Sequence, residues 1–561
     1  MTTDAAARVL DQARAWLAQD PDVETRAELR TLIDEAEAGS TDAVTELHAR
    51  FDVRLAFGTA GLRGEIAAGS NRMNRVLVSQ AAAGLARFLL NHATIGEAPS
   101  VVIGYDGRKN SQVFATDTAE IMAGAGIRAI LLPRLLPTPV LAYAVRHLDV
   151  DAGVMVTASH NPPNDNGYKV YLGGADQGSQ IVAPADAEIA SHIQRIADAD
   201  DITELPRSTD YETAGEDVVD AYVAATAAVS PAPASASDIR WVYTAMHGVG
   251  WETLSKIVRA AGYPQPMVVG EQLKPDATFR TVSFPNPEEP GAMDLSFARA
   301  RRVQADFILA NDPDADRLAV AIPDASSENG WRRLTGNEVG LLLGARAARA
   351  AAGTPGASLA CSMVSSPGLG AVAAHHGLDF HETLTGFKWI SRAPGIVFGF
   401  EEALGYLVNP ETVRDKDGIS AAVAILGLAA EAHEQGTSLA DLLGELGDTY
   451  GHFASGQVSV RVDDLSVIGA VMLSLRTLPP TQFGGHAIAS AEDLLHAPAG
   501  QPSGDVLRYR LVDGSRIIVR PSGTEPKLKV YIDAKAESAD RAVEIVRELD
   551  AAVRVLLDER S

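Results

Sequence analysis

The chain has 561 residues, too many for one hydrophobic core, so division into roughly three to five domains is expected. Apolar residues make up 46% and charged residues 22%, the profile of a folded soluble protein, and the net charge of −25 argues against nucleic acid or an anionic membrane surface as partner. The single cysteine, Cys361, excludes an intramolecular disulfide; with no membrane-length apolar run and no signal-peptide pattern, it points to the cytoplasm.

Residues 1–50 read as helices. Val9, Leu10, Ala13, Trp16 and Leu17 share one helical face, Asp20 before Pro21 reads as an N-cap, and Gly39 as a stop. The stretch Phe57–Gly64 (FGTAGLRG) is rich in turn residues. Its glycines let backbone approach a ligand and Arg63 can fork onto a phosphate, although a plain glycine-rich turn reads equally well. It is no Walker loop, because no Gly-Lys-Ser/Thr follows. From Ser100 the pattern alternates: a strand over 101–104, a helix over 111–125, a strand over 128–132, a helix over 139–147 and a buried strand over 152–157. That βαβαβ rhythm predicts a mostly parallel sheet.

A turn at Asn166–Gly167 then feeds a strand that can return Lys169 toward Ser159. A polar stretch at 200–215 suggests a boundary, and the proline- and serine-rich 230–235 a loop. A strand over 239–244 opens a second α/β region, closed by a strand over 306–310 and an acidic loop. A helix over 335–352 opens a third, which ends near residue 445. A strand over 457–462, a basic loop between two strands and a helical tail from Ser538 to about Leu557 complete the chain. The expected domains are 1–210, 211–328, 329–445 and 446–561. Apolar strands run into polar loops at 154–159, 307–312 and 396–401, as if three similar α/β units each aim one loop at a common cleft.

Four loops carry chemistry. Thr157-Ala-Ser159-His160-Asn-Pro-Pro163 holds a hydroxyl beside an imidazole on a loop stiffened by two prolines, where a nucleophile or a covalent group can sit. Asn311-Asp312-Pro-Asp314-Ala-Asp316-Arg317 places three carboxylates at alternate positions, which repel unless a cation or basic groups neutralise them; hard oxygens of this kind suit Mg²⁺. An EF-hand is excluded, because Arg317 stands where that loop needs glycine. Arg520-Pro-Ser522-Gly523-Thr524-Glu-Pro-Lys527, between two strand-like runs, makes an anion cradle without a catalytic acid or base. Glu401-Glu402-Ala-Leu-Gly405 offers adjacent carboxylates to sugar hydroxyls, and Thr385-Gly386-Phe-Lys388 adds a cation on a turn.

In this order and over about residues 50–540, the four loops resemble those of the α-D-phosphohexomutase family. The resemblance implies an α/β fold of four domains round a central cleft, three related α/β domains with mixed, mostly parallel sheets and a C-terminal α+β domain. It further implies that Ser159 carries the transferable phosphoryl group, that Asp312, Asp314 and Asp316 hold Mg²⁺ with an oxygen at Ser159, and that His160 and Lys169 are candidates for proton transfer. Arg63 and Arg317 would steady the phosphoryl group. Glu401 and Glu402 would orient the sugar, with Thr385, Gly386 and Lys388 on the same side. Arg520, Ser522, Gly523, Thr524 and Lys527 would grip the phosphate that does not react.

The implied activity interconverts glucose 1-phosphate and glucose 6-phosphate through phosphoserine, with a sugar bisphosphate as intermediate and activator. Ala403 and Leu404 depart from the Glu-Glu-Ser-Phe-Gly of many glucose-type members and lie closer to the phosphopentomutase-type branch, so pentose or mannose phosphates remain alternatives. A metal-dependent sugar phosphatase and a sugar-phosphate sensor are the readings from other classes. The expected partner is a small sugar phosphate, with no nucleic acid and no membrane, in a monomer or small homo-oligomer.

Overall fold

The computed structural model describes residues 3–58, 61–94, 96–199, 201–462, 465–497, 503–521 and 527–560. The chain divides into two units, the first formed by Met1–Arg333 with Asn409–Ala430 and the second by Leu334–Val408 with Glu431–Ser561.

The first unit opens with helices Thr3–Gln19, Val23–Glu37 and Thr41–Phe51, which bury Val9, Ala13, Trp16, Leu29, Ile33, Leu47 and Phe51 together with Ala68 and Val76. The cap of the second helix is Asp22, which accepts from the Glu24 amide, and not Asp20. Asp20 instead accepts from the Asp22 amide and the Thr25 hydroxyl, closing the turn. An N-cap needs extended backbone beside the first helical turn, and here that residue is Asp22.

The first sheet is built from β1 (Leu62–Glu65), β2 (Ser100–Tyr105), β3 (Arg128–Leu131), β4 (Ala152–Val156), β5 (Asp165–Leu172), β6 (Ser179–Gln180) and β7 (Glu212–Thr213). Its order is β1-β5-β4-β2-β3-β7, with β6 on β5. β4, β2, β3 and β7 run parallel, while β5 is antiparallel to β4, β1 and β6. The parallel strands β2 and β4 are buried throughout, as a sheet covered on both faces requires. Helix Arg75–His92, which the sequence pattern does not announce, is buried on nearly every side. A Cβ on its Gly84 would stand 2.7 Å from the Ile193 backbone nitrogen of helix Ala185–Ala199, so only glycine permits that crossing.

The second sheet contains β8 (Trp241–Thr244), β9 (Met267–Val268), β10 (Phe307–Asn311), β11 (Leu318–Pro323) and β12 (Trp331–Arg333), in the order β12-β11-β10-β8-β9. In the second unit, β13 (Ser358–Ser362), β14 (Asp379–Thr383), β15 (Ile396–Glu401) and β16 (Gly405–Leu407) form a sheet ordered β14-β13-β15-β16. Helix Gly336–Ala351 leads into it, started by a reciprocal capping box between Thr335 and Glu338. The last sheet, all antiparallel, comprises β17 (His452–Arg461), β18 (Gln482–Phe483), β19 (His486–Asp493), β20 (Leu507–Leu511), β21 (Arg516–Pro521) and β22 (Lys527–Ala536). Helix Ala539–Arg560, with Ser538 capping it, packs Ile545, Leu549, Val553 and Leu557 against this sheet. Helix Leu439–Tyr450 runs unbroken through residue 445.

The recurring strand-to-loop pattern has a topological form. In each of the three α/β sheets, the motif loop joins a strand with a parallel neighbour to an antiparallel one: β4 to β5, β10 to β11, and β15 to β16. Among the described residues, no helix is long and apolar enough to cross a membrane.

Candidate active site

Ser159 lies three residues past β4, almost fully buried, with its backbone in the left-handed region at φ 51°. Its amide donates to the Thr157 hydroxyl at 2.9 Å, and that hydroxyl donates to Asp106 at 2.6 Å. The Ser159 hydroxyl donates to Asp312 Oδ2 at 2.7 Å and stands 3.2 Å from His160 Nδ1. Burial and the nearby Arg317 and Arg63 push the His160 pKa well below its usual value, so the imidazole is neutral. Arg63 reaches the loop because β1 pairs with β5, setting Arg63 opposite Gly167, and its guanidinium donates to Asn161 Oδ1 at 3.1 Å. Gly61 makes that approach possible: its φ is +75°, and a Cβ there would fall 1.8 Å from the Tyr168 carbonyl oxygen.

The acidic loop follows β10, and Asp312, Asp314 and Asp316 are all fully buried. Backbone from both sides holds it. The Val249 amide donates to the Pro313 carbonyl, the Thr138 amide to the Asp314 carbonyl, and the Thr138 hydroxyl to Asp314 Oδ2 at 2.7 Å. The Arg317 amide donates to Asp312 Oδ1. Lys169 Nζ lies 2.8 Å from Asp314 and 2.9 Å from Asp316, and Lys416 lies 3.2 Å from Asp316.

Burial and the other two carboxylates drive the Asp312 pKa well up. Burial opposes ionisation at Asp314 and Asp316 too, but Lys169, with Lys416 and Arg317 at Asp316, outweighs it and both fall. Lys169 is raised against its own burial by the same two carboxylates. The predicted mutual repulsion is therefore met by two ammonium groups.

A divalent cation fits here. One oxygen from each aspartate lies within 4.8 Å of the others, the single such cluster among the described residues, and Asp314 Oδ1 and Asp316 Oδ1 are buried without a hydrogen-bond partner. Hard carboxylate oxygens in this state are suited to an oxygen-seeking ion.

In the second unit Glu401 ends β15 and Glu402 follows it. Glu402 Oε2 accepts from the hydroxyls of Ser362 at 3.1 Å and Ser365 at 3.0 Å, and its amide donates to the Ser365 hydroxyl. Burial and the adjacent Glu401 push the Glu402 carboxyl up to about 7. The Ser365 carbonyl accepts from Arg516, which also pairs with Asp533 and Glu382. Arg520, near the end of β21, donates to the Thr385 hydroxyl at 2.6 Å, so two of the expected substrate-binding residues meet. Gly386 adopts φ 114°, and Lys388 stands partly buried on the short helix Phe387–Ile390. Lys527 is the first residue of β22, and Ser522, Gly523 and Thr524 lie outside the described residues.

Sequence reasoning missed Asp106, Thr138 and Lys416. Asp106 was within reach, since Asp106-Gly-Arg108 directly follows a strand at the end where such sheets bind ligands. Lys416 was not: it arrives from the separate segment Asn409–Ala430, held by hydrogen bonds from Tyr171 to Asp415 and from Tyr222 to Asp417, and no local pattern tells where a chain returns.

Family models described as phosphoglucomutase/phosphomannomutase alpha/beta/alpha domains I, II and III match residues 54–200, 220–325 and 335–450, and the model of that family's C-terminal domain matches 480–552. The chain belongs to the phosphoglucomutase/phosphomannomutase family. Its members are intramolecular phosphotransferases, and this chain is an enzyme of that kind. A protein of Haemophilus influenzae named probable phosphomannomutase is 55% identical over 485 residues, 86% of this chain and 98% of its own length. The phosphopentomutase of Mus musculus is 34% identical over 596 residues, 97% of this chain and 93% of its own. The crystal structure of a phosphoglucomutase/phosphomannomutase family protein from Burkholderia thailandensis shares the fold, with a TM-score of 0.67 at 19% identity over 89% of this chain and 98% of that one.

Proposed function

We propose that this phosphohexomutase moves a phosphoryl group between the 1 and 6 positions of a hexose phosphate, taking glucose 1-phosphate to glucose 6-phosphate. Ser159 carries the group in the resting enzyme and passes it to the free hydroxyl of the substrate. The resulting sugar bisphosphate then returns its other phosphoryl to Ser159. The observation that carries this reading is the hydroxyl of the almost fully buried Ser159, 2.7 Å from Asp312 and 3.2 Å from His160 Nδ1.

Lys169 directs its ammonium hydrogens at Asp314 and Asp316, whereas His160 faces the Ser159 oxygen, so His160 exchanges the proton there and Lys169 supplies positive charge. Arg63 and Arg317 hold the phosphoryl oxygens. Asp312, Asp314 and Asp316, with an oxygen at Ser159, would hold Mg²⁺, which when bound neutralises phosphoryl charge. Positioning and charge neutralisation are the main demands of phosphoryl transfer, and these residues answer both.

Glu401 and Glu402 orient the sugar ring, with Thr385, Gly386 and Lys388 beside them, and Arg520, Ser522, Gly523, Thr524 and Lys527 hold the phosphate that does not react. A sugar bisphosphate then restores any enzyme that has lost its phosphate. Mannose and pentose phosphates are the second reading, favoured by the relatives named phosphomannomutase and phosphopentomutase. Intact-mass analysis and peptide mapping test the central step. Active enzyme should carry one phosphate at Ser159, and Ser159→Ala should lose at least about 100-fold in turnover; phosphate found only at other residues refutes the assignment. Turnover of 1-phosphates of glucose, mannose, ribose and deoxyribose ranks the sugars.

A further inference from the structure

Ser159 is one of the few non-glycine residues held at positive φ, a backbone state that an L-residue keeps only when its surroundings impose it. The loop's own bonds, from the Asn161 amide to the Ala158 carbonyl and from the Asp165 amide to the Pro162 carbonyl, leave further carbonyl capacity to be met. Pro162 and Pro163 have no amide hydrogens to give, and the carbonyls of Ser159, Asn161, Pro162 and Asp165 all turn toward one side. One guanidinium meets all four. Arg108, 95% buried, donates through Nη2 to the carbonyls of Ser159 and Asn161, each at 2.6 Å, and through Nη1 to those of Pro162 at 2.8 Å and Asp165 at 3.1 Å.

The guanidinium is itself fixed from two sides. Asp106 Oδ2 lies 3.7 Å from Arg108 Nε, and Asp106 Oδ1 accepts from the Arg108 amide and the Ser111 hydroxyl. On the other side the Phe279 ring lies under the guanidinium carbon at 4.9 Å, within cation–π range. Phe279 also sits at positive φ, 47°. It belongs to the segment following β9, so the clamp reaches from the first sheet's domain to the second's within one unit.

We propose that Arg108 is the positioning residue of the phosphoryl-carrying loop: it fixes four carbonyls so that Ser159 keeps its left-handed backbone and its hydroxyl stays aimed at Asp312. Lysine cannot replace it, because one ammonium nitrogen has three donors and no planar fork. The inference rests on Ser159 being the phosphoryl carrier, and a loss of aim of about 1 Å costs on the order of 100-fold in rate.

The test uses the full chain with Arg108→Lys, Arg108→Ala and Phe279→Leu, and reads hydrogen exchange as well as kinetics. For Arg108→Lys, amides 157–161 should exchange at least about tenfold faster while the rest of the first sheet keeps its protection. The kcat for glucose 1-phosphate should fall at least about 30-fold with KM within about threefold. Arg108→Ala should behave likewise and regain about tenfold in kcat with millimolar guanidinium, which should leave wild type unchanged.

Phe279→Leu keeps the four hydrogen bonds and should give a smaller change in the same amides; it and Arg108→Lys carry the test if the alanine variant does not fold. Wild-type exchange in the loop, or protection lost evenly over the whole domain, overturns the clamp. An unphosphorylated Ser159 in active wild-type enzyme overturns the assignment of Ser159 as phosphoryl carrier instead, and leaves the exchange result to judge the clamp alone.

Discussion

Lys169→Met replaces an ammonium with an apolar chain of similar length and leaves Asp314 and Asp316 facing each other with Lys416 as the remaining amine. At 2.8 and 2.9 Å, and at an effective dielectric of about 20, each lost contact is worth roughly 6 kcal/mol before desolvation is counted. Desolvation of the ammonium offsets much of this, and removing one partner of a buried pair leaves a net loss of about 3–5 kcal/mol. A unit of about 350 residues unfolds with an entropy near 0.7 kcal/mol per kelvin, so its transition should fall by about 5 °C in chelator.

The variant loop also carries one more net negative charge, so Mg²⁺ should bind more tightly. A tenfold gain in affinity adds about 1.4 kcal/mol at saturating metal, or about 2 °C beyond the wild-type response. Scanning calorimetry with and without Mg²⁺ separates the unit's transition from others. A variant as stable as wild type in chelator, or one whose melting rises less with Mg²⁺ than wild type, refutes the claim that Lys169 stands in for charge on that loop.

Asp314→Asn should lower both Mg²⁺ affinity and turnover, measured by titration calorimetry and coupled assay, and Ca²⁺ should support little turnover because its coordination is looser; full activity in excess chelator would contradict this. Arg520→Ala should raise KM for every sugar phosphate, while Glu401→Gln should reorder the preference among sugars; the reverse pattern would exchange the two loops' roles. Glu402 has a folded pKa raised from 4.5 to about 7, so the stability it contributes is full below pH 4.5 and is lost as pH rises through about 7. The second unit's melting should therefore fall between pH 5 and 8 in wild type and fall less in Glu402→Gln, and parallel profiles would refute it.

The sheets were legible where the sequence obeys one period. Val101–Gly104 and Phe307–Ala310 are apolar without alternation because both strands are buried along their whole length, as a sheet covered on both faces requires. Helix Arg75–His92 was illegible for the same reason turned round: a helix buried on nearly all sides has no polar stripe to mark its period. The serine and aspartate loops could be singled out because two consecutive prolines in one and three alternating carboxylates in the other stand just past apolar strands. Thr138 and Lys416 could not, since Thr138 reaches the acidic loop from 176 residues away and Lys416 from a returning segment; Lys169 was singled out from its strand beside Ser159, but its pairing with Asp314 and Asp316 was not.

That returning segment sets an order on synthesis. The first unit is not one stretch of chain: a ribosome must translate all of Leu334–Val408 before Asn409–Ala430 can join residues made earlier. Until then Tyr171 and Tyr222 lack the carboxylates of Asp415 and Asp417, and the acidic loop lacks Lys416. A nascent chain halted at Arg333 therefore holds the serine and all three aspartates but only one of the two ammonium groups that balance them. Buried polar groups without partners are costly, so such a fragment should be a poor folder and a good substrate for chaperones and proteases. Full maturation waits for residue 430, and gene truncations or split-protein designs that cut between 333 and 430 separate pieces that the fold requires together.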